Sequence, residues 1–397
     1  MSQQRKLAWA APVVVAAVIG GMVLVSARAS GEPPLPDLSA QQLVTNVLGA
    51  QKTPFSGTVT VTTDIGLPDL SSLGNLFGLQ GPSLTSLLAG TTTVQVASDP
   101  AVGARAEMDS GTSAYVAVAS FAKGEAWTYS SSTNAATRYV LPADSSAPEK
   151  SPAADVPTPA ATADKLLTSL DASTALSVTA TTTVAGRPAY TLTLTPKDGG
   201  SLIASVTIAV DASTWLPLAV QVWSTQLAGA PSLSVAFTAV SFATPAASLF
   251  AYAAPAGATV KTVDLGQSGQ DKPADGADKQ PAGATAPTTT VVAGAGWASV
   301  VKITGLPADM TAALADPAKL AGMLAGGGTS GPGGTGKGSH HGDAGSAGTI
   351  SQFLGGMAQQ TPQGTVYSTY LGSLLVTPGG DVYAGAVPAA ALQAAAG

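Results

Sequence analysis

Residues able to do covalent or metal chemistry are scarce in this chain, and their placement argues against catalysis. Cysteine is absent, which excludes disulfides, thiolate nucleophiles, Cys-ligated zinc and a lipid-modified cysteine. The only histidines, His340 and His341, sit side by side near Asp343 in a glycine-rich tract. Adjacent imidazoles there lack the second set of hydrogen bonds that orients metal ligands, so the tract reads as an adventitious binder. A Ser-His-Asp triad is excluded by the same placement. Gly331 to Gly338 imitates G-x-x-x-x-G-K-[ST], yet Gly338 stands where the motif needs a hydroxyl and no strand precedes it. Of Glu32, Glu107, Glu125 and Glu149, none pairs with another carboxylate at an evident catalytic spacing. The expectation is a protein that is no enzyme and uses neither cofactor nor metal.

Composition narrows the class. Hydrophobic residues make up 45% of the 397, and charged residues only 10%, against about 25% in typical soluble domains. A charge-driven disordered chain is therefore excluded as a whole. The formal net charge of −6 argues against nucleic acid as a partner. One apolar run approaches the ~20 residues of a membrane crossing, so a many-span membrane protein is not expected. Gly (45) and Pro (28) point to a turn-rich β protein with flexible insertions.

That run is Leu7 to Ala27, preceded by Arg5 and Lys6 and followed by the small-x-small triplet Ala27-Arg28-Ala29. This is the arrangement of a signal peptide or of an uncleaved anchor, and residues 1–30 are assigned to one or the other. The remainder is expected outside the cytoplasm, membrane-anchored or secreted.

After a Pro-rich spacer, Ser39 and Gln42 form an S-x-x-Q capping box, with Leu43, Val44, Val47 and Leu48 on one helical face. Alternation then signals strands at Phe55–Thr62, Thr91–Ala97, Ala104–Met108, Ser113–Ser120, Ala126–Tyr129 and Ala136–Leu141. Between the first two lies a Leu-rich insertion from Ile65 to Gly90, with no charge after Asp69; it must bury its apolar surface or expose a large patch. Thr158 caps a helix bearing Leu166, Leu167 and Leu170. Strands of a second meander follow, through Tyr190, Leu192 and Leu194, then Val206, Ile208 and Val210, then Leu218, Val220 and Val222, then Val235 and Phe237. Short turns between closely spaced strands mean antiparallel pairing. Residues 265–290 read as a polar, Pro-rich linker. Residues 291–397 read as a C-terminal αβ module: a strand at Trp297–Ile303, a helix at Ala308–Leu324, a Gly-rich loop at 325–349, a helix near Ile350–Gln359, and a hairpin of Val366–Val376 with Val382–Val387.

Four stretches carry a family likeness: Ser56-Gly57-Thr58-Val59, Ala126-Trp127-Thr128-Tyr129 after a Gly turn, Val184-Ala185-Gly186-Arg187-Pro188-Ala189-Tyr190-Thr191-Leu192, and Val206 through Leu218 with its I-x-V-D-x-x-T-x-x-P-L pattern, the last two carrying most of the weight. From Leu35 to Leu265 the chain resembles actinobacterial members of the LolA-like family, which embraces LolB, the MucB/RseB N-terminal domain and LppX-type lipid carriers. The resemblance implies an α+β fold over residues 31–264: a curved antiparallel sheet forming an unclosed β-barrel covered by helices. It also implies binding of lipid or lipoprotein acyl chains without catalysis. The missing lipobox cysteine departs from LppX-type members.

The residues support that reading independently, because a sheet face of Val, Leu and aromatics needs a cover, and whatever its covers leave open accepts lipid tails. The expected lining is Val59, Val61, Leu73, Leu76, Phe77, Leu87, Trp127, Tyr129, Leu166, Leu170, Tyr190, Leu192, Val206, Ile208, Leu218, Val220 and Phe237. For each aromatic, ordinary core packing is the competing reading. Expected partners are acyl chains, the cytoplasmic membrane and a membrane-protein partner. Two rival functions remain open at this point: an RseB-like regulator holding an anti-sigma factor, and a structural envelope protein whose own helices fill the hollow.

Overall fold

The structure, a computed structural model, describes residues 35–50, 53–66, 90–110, 113–141, 173–265, 287–320 and 355–397. The N-terminal segment, the Leu-rich insertion, the helix expected after Thr158 and the Gly-rich loop with its two histidines lie outside these residues.

The capping box forms as its spacing predicts. Gln42 N–H donates to Ser39 Oγ (3.2 Å) and Ser39 N–H to Gln42 Oε1 (2.9 Å), starting α1 (Ala40–Ala50). Two meanders follow. The first is β1 (Phe55–Thr63), β2 (Gly90–Asp99), β3 (Gly103–Asp109), β4 (Ala114–Ser120), β5 (Glu125–Ser130) and β6 (Ala135–Val140). The second is β7 (Thr174–Val184), β8 (Arg187–Pro196), β9 (Ile203–Asp211), β10 (Pro217–Ser224) and β11 (Leu233–Ser241). Antiparallel pairing of β1 with β11 fuses them, and β12 (Thr259–Asp264) adds to β6 in parallel. The result is one curved twelve-stranded sheet, β12-β6-β5-β4-β3-β2-β1-β11-β10-β9-β8-β7, whose end strands do not pair with each other. A flat sheet would hold β7 and β11 about 19 Å apart. Instead β7, bulged between Thr179 and Thr182, reaches back to touch β11. The fold is mostly β, and among the described residues α1 is the helix that lies on this sheet.

The chain leaving β11 crosses one side of the sheet as a strap over residues 242–258. The Arg187 guanidinium sits over the Phe242 ring, 4.7 Å from its centroid. Phe250, in a 3-10 turn at Ala247–Phe250, is buried against Gly103. A Cβ at Gly103 would lie 2.9 Å from Phe250 Cβ and closer still to the Ala119 carbonyl oxygen, so glycine is required for that approach. Tyr252 then rests on Trp127 and Tyr129, with centroids 5.6 and 6.4 Å away.

A second sheet has the order β13-β14-β18-β17-β16-β15. Its strands are β13 (Thr288–Ala293), β14 (Val300–Thr304), β15 (Ala358–Thr361), β16 (Gly364–Ser368), β17 (Ser373–Val376) and β18 (Val382–Gly385). Leu392 of α3 (Ala389–Ala396) packs on Val300, Val366 and Leu375. Several sequence expectations are corrected here. The helix expected over Ala308–Leu324 breaks after α2 (Ala308–Ala315), because Pro317 cannot donate the hydrogen bond that would continue it. The end of the helix expected near Gln359 is β15. The strand expected over Val366–Val376 is a hairpin, turned at Thr369–Gly372 by the Thr369 N–H to Gly372 carbonyl bond. The strand expected from Trp297 begins at Val300, after a 3-10 turn at Gly296–Ala298.

The two sheets are tied at one end of the larger. Leu202 N–H donates to the Ala386 carbonyl (2.7 Å) and Tyr370 N–H to that of Ile65 (2.8 Å). Ser224 Oγ donates to the Tyr370 carbonyl, and Trp297 Nε1 to the buried Thr174 hydroxyl (2.7 Å). Between these ties lies a pocket of about 310 Å³ whose walls include Leu202, Gln226, Tyr370, Ser373 and Pro388.

Candidate binding face of the large sheet

Residues directly opposite in paired strands project to the same side, so the register sorts every side chain of the large sheet. One row runs Val178, Leu192, Ile208, Val220, Val235 and Val61 from β7 to β1. On the same side Val59 faces Phe237 and Val94, Val94 leads to Met108, and Met108 faces Tyr115. We term this the first face. The ionised residues of β1–β11 are Asp99, Arg105, Glu107, Asp109, Glu125, Arg138, Arg187 and Asp211. All of them project from the opposite, second face. Eleven strands thus present one side without a single charge.

The first face divides by cover. Over β7–β9, Leu43 and Val44 of α1 pack on Tyr190, Leu192 and Val210, and the Tyr190 hydroxyl donates to the Pro36 carbonyl (2.9 Å). Over β1, β2 and β11, Val59, Val61, Val94, Val235 and Phe237 are buried in one cluster. The Phe237 ring lies over Gly57, whose Cβ would sit 3.0 Å from it, and meets Phe55 edge-on at 5.7 Å. Between these two parts, Val206, Ile208, Val220 and Val222 are half-buried. Beyond β2 the side chains shrink to Ala104, Ala106, Ala117, Ala119 and Ala126, also half-buried.

Of the residues expected to line a hollow, the register puts Val59, Val61, Tyr190, Leu192, Val206, Ile208, Val220 and Phe237 together on this face. Leu218, beside the bulge between Pro217 and Ala219, is fully buried in the same cluster as Val59 and Phe237. Trp127 and Tyr129 are on the second face under the strap, stacked on Tyr252 rather than beside the others. Leu73, Leu76, Phe77, Leu87, Leu166 and Leu170 lie outside the described residues. Sequence reading missed Val94, Val96, Met108 and Tyr115, although alternation in β2 and β3 already put the first three opposite the charged positions.

The second face does structural work. Glu125, buried, accepts from Arg138 Nε (2.8 Å), and Arg105 Nη2 donates to Glu107 (2.7 Å). Asp211, fully buried, takes a fork from Arg187 Nε and Nη2, while its Oδ1 accepts from the Ser213 and Thr214 amides (3.1 and 2.7 Å) and the Thr214 hydroxyl (2.9 Å). Burial alone would raise its carboxyl, but these donors outweigh it and hold the group below the ordinary carboxylate value. The two longest motifs of the sequence are therefore one latch, joining the Ala185-Gly186 turn to the Asp211–Trp215 turn. Both turns need left-handed residues, Ala185 (φ 50°), Gly186 (φ 74°) and Trp215 (φ 62°), and Trp215 stacks on Tyr190 at 5.9 Å. Among the described residues no group of His, Asp and Glu is placed to hold a metal ion.

No family model matches the sequence, and no curated protein of similar sequence is found. Solved structures of similar course exist. The Pseudomonas aeruginosa MucA/MucB complex matches at 16% identity over 90% of this chain and 96% of that one, with a TM-score of 0.39. A LolA-superfamily protein from Nitrosomonas europaea matches at 11% identity over 54% and 99%, TM-score 0.22. A DUF1329 family protein from Desulfovibrio piger matches at 10% identity over 53% and 95%, TM-score 0.22. The first two bear the MucB and LolA-superfamily names. Likeness of this order says nothing of what the chain binds.

Proposed function

We propose that the chain is an exported, non-enzymatic binder of lipid or lipoprotein acyl chains in the cell envelope, held or delivered there by residues 1–30, with residues 291–397 as a second module. The observation that carries this reading is the charge-free first face. A ligand laid on half-buried Val206, Ile208, Val220 and Val222 meets no group that would have to shed a hydration shell unpaired. Each CH₂ removed from water contributes about 0.8 kcal/mol, so a C16 chain supplies on the order of 10 kcal/mol before ordering costs. No directed chemistry is needed, in keeping with the scarcity of reactive side chains.

The test is titration of delipidated full chain with a fluorescent fatty acid, alongside mass spectrometry of lipids that co-purify. The reading expects saturable binding that Val220→Asp weakens at least tenfold while Glu107→Gln, on the second face, leaves it unchanged. Absence of both saturable binding and co-purifying lipid would overturn it.

A further inference from the structure

The uncharged face has a polar end. Along one row of directly opposed residues the side chains run Val96, Ala106, Ala117, Thr128, Thr137 and Lys261, from β2 across to β12. The flanking row ends in Tyr139 beside Val263. Burial pushes the Tyr115 hydroxyl up, the nearby Tyr139 hydroxyl adds to this, and Thr128 offsets part of it. Lys261 is the first cation met on this side of the sheet; it is exposed on the edge strand and makes no ion pair among the described residues. Side chains thus pass from aliphatic to methyl, to hydroxyl, to ammonium in a single direction.

From this gradient we infer that the stretch of the first face beyond β2 takes an amphiphile in one orientation, with its acyl chain over the half-buried Ala104, Ala106, Ala117, Ala119 and Ala126 and an anionic oxygen head group at the Thr128–Thr137–Lys261 edge. The inference rests on the acyl-binding reading and adds the ligand's polarity and head-group charge. The geometry has room for it. Four strand spacings separate Ala106 from Lys261, about 19 Å at the usual interstrand distance, against about 15 Å for the hydrocarbon depth of one bilayer leaflet. Hydroxyls beside an ammonium donate to carboxylate or phosphate oxygens alike, and Lys261 acts as a point charge without demanding one geometry. A cationic head would be repelled there, and a neutral head would gain hydroxyl contacts but nothing from the ammonium.

Delipidated full chain is titrated with palmitate, palmitoyl lysophosphatidic acid and monopalmitoylglycerol, at low and at 0.5 M salt. The wild type is expected to hold an anionic probe three- to tenfold tighter than the neutral one at low salt, with the gap closing at high salt. Preference for palmitate alone assigns a carboxylate, and for the lysophospholipid alone a phosphate; either supports the inference. Lys261→Gln should erase the gap and Thr137→Val narrow it, while Lys319→Gln, an exposed control in the other sheet's unit, leaves it intact. Equal binding of all three probes by the wild type, or a gap that survives Lys261→Gln, overturns the inference and leaves acyl binding standing. Failure of all three to bind overturns both.

Discussion

Cutting the Arg187–Asp211 latch should unfold the second meander's turns without touching the first face, and its cost follows from the contacts. Asp211→Ala removes a fully buried carboxylate that accepts from Arg187, Ser213 and Thr214. Breaking a buried ion pair costs about 3–5 kcal/mol when the survivor is stranded. The Arg187 side chain, however, is 32% exposed and stays partly hydrated, so only part of that penalty applies. Two turn amides lose their acceptor, at about 1 kcal/mol each where water can partly replace it. The sum is about 2–4 kcal/mol for Asp211→Ala, and about 1–2 for Asp211→Asn, which keeps an acceptor for Thr214. Urea midpoints at pH 7 read these values. The pH dependence has a fixed sign, because the folded carboxyl lies below the ordinary 3.8. Its contribution is complete above about pH 4 and disappears as pH falls through the lowered folded value. The gap between wild type and Asp211→Ala should be flat from pH 5 to 8 and shrink on acidification. A loss under about 0.5 kcal/mol at pH 7, or a gap that widens in acid, would mean that the latch does not hold these turns.

Three further outcomes are expected. Gly103→Ala should cost about 1–3 kcal/mol in thermal unfolding, since its Cβ collides with the Ala119 carbonyl and Phe250 and must lift the strap. Tyr190→Phe deletes the bond to the Pro36 carbonyl; about 1 kcal/mol is lost, seen as faster amide exchange within α1 while β1 and β11 stay protected. Trp297→Phe leaves the buried Thr174 hydroxyl only its long 3.5 Å contact with Ser173 Oγ, at about 1 kcal/mol, and calorimetry should show the two sheets melting further apart.

Elements with strong local signals were legible in the sequence: the capping box of α1, and strands such as β1 and β9 where period-2 alternation is unbroken. Position on a face was legible strand by strand, but which faces joined was not, because the β1–β11 pairing depends on residues nearly two hundred apart. That is why Trp127 and Tyr129 joined the expected lining, although one strand pairing away they belong to the side the strap covers. The strap itself carries no periodicity. β12 was missed because Thr259–Asp264 is a short, charged edge strand, paired in parallel, the one such pairing of the large sheet among the described residues, and held mainly by backbone bonds to β6. The Arg187–Asp211 latch was visible as motif but not as contact, since nothing in either stretch names the other.

Acyl binding on the first face is read out at single residues by photo-crosslinking with a diazirine-bearing fatty acid followed by peptide mass spectrometry. Adducts are expected on β9 and β10 at the half-buried Val206, Ile208, Val220 and Val222 positions, competed away by unlabelled lipid. Adducts concentrated on the strap and its neighbours around Trp127 and Tyr252, or labelling that excess lipid does not reduce, would contradict it.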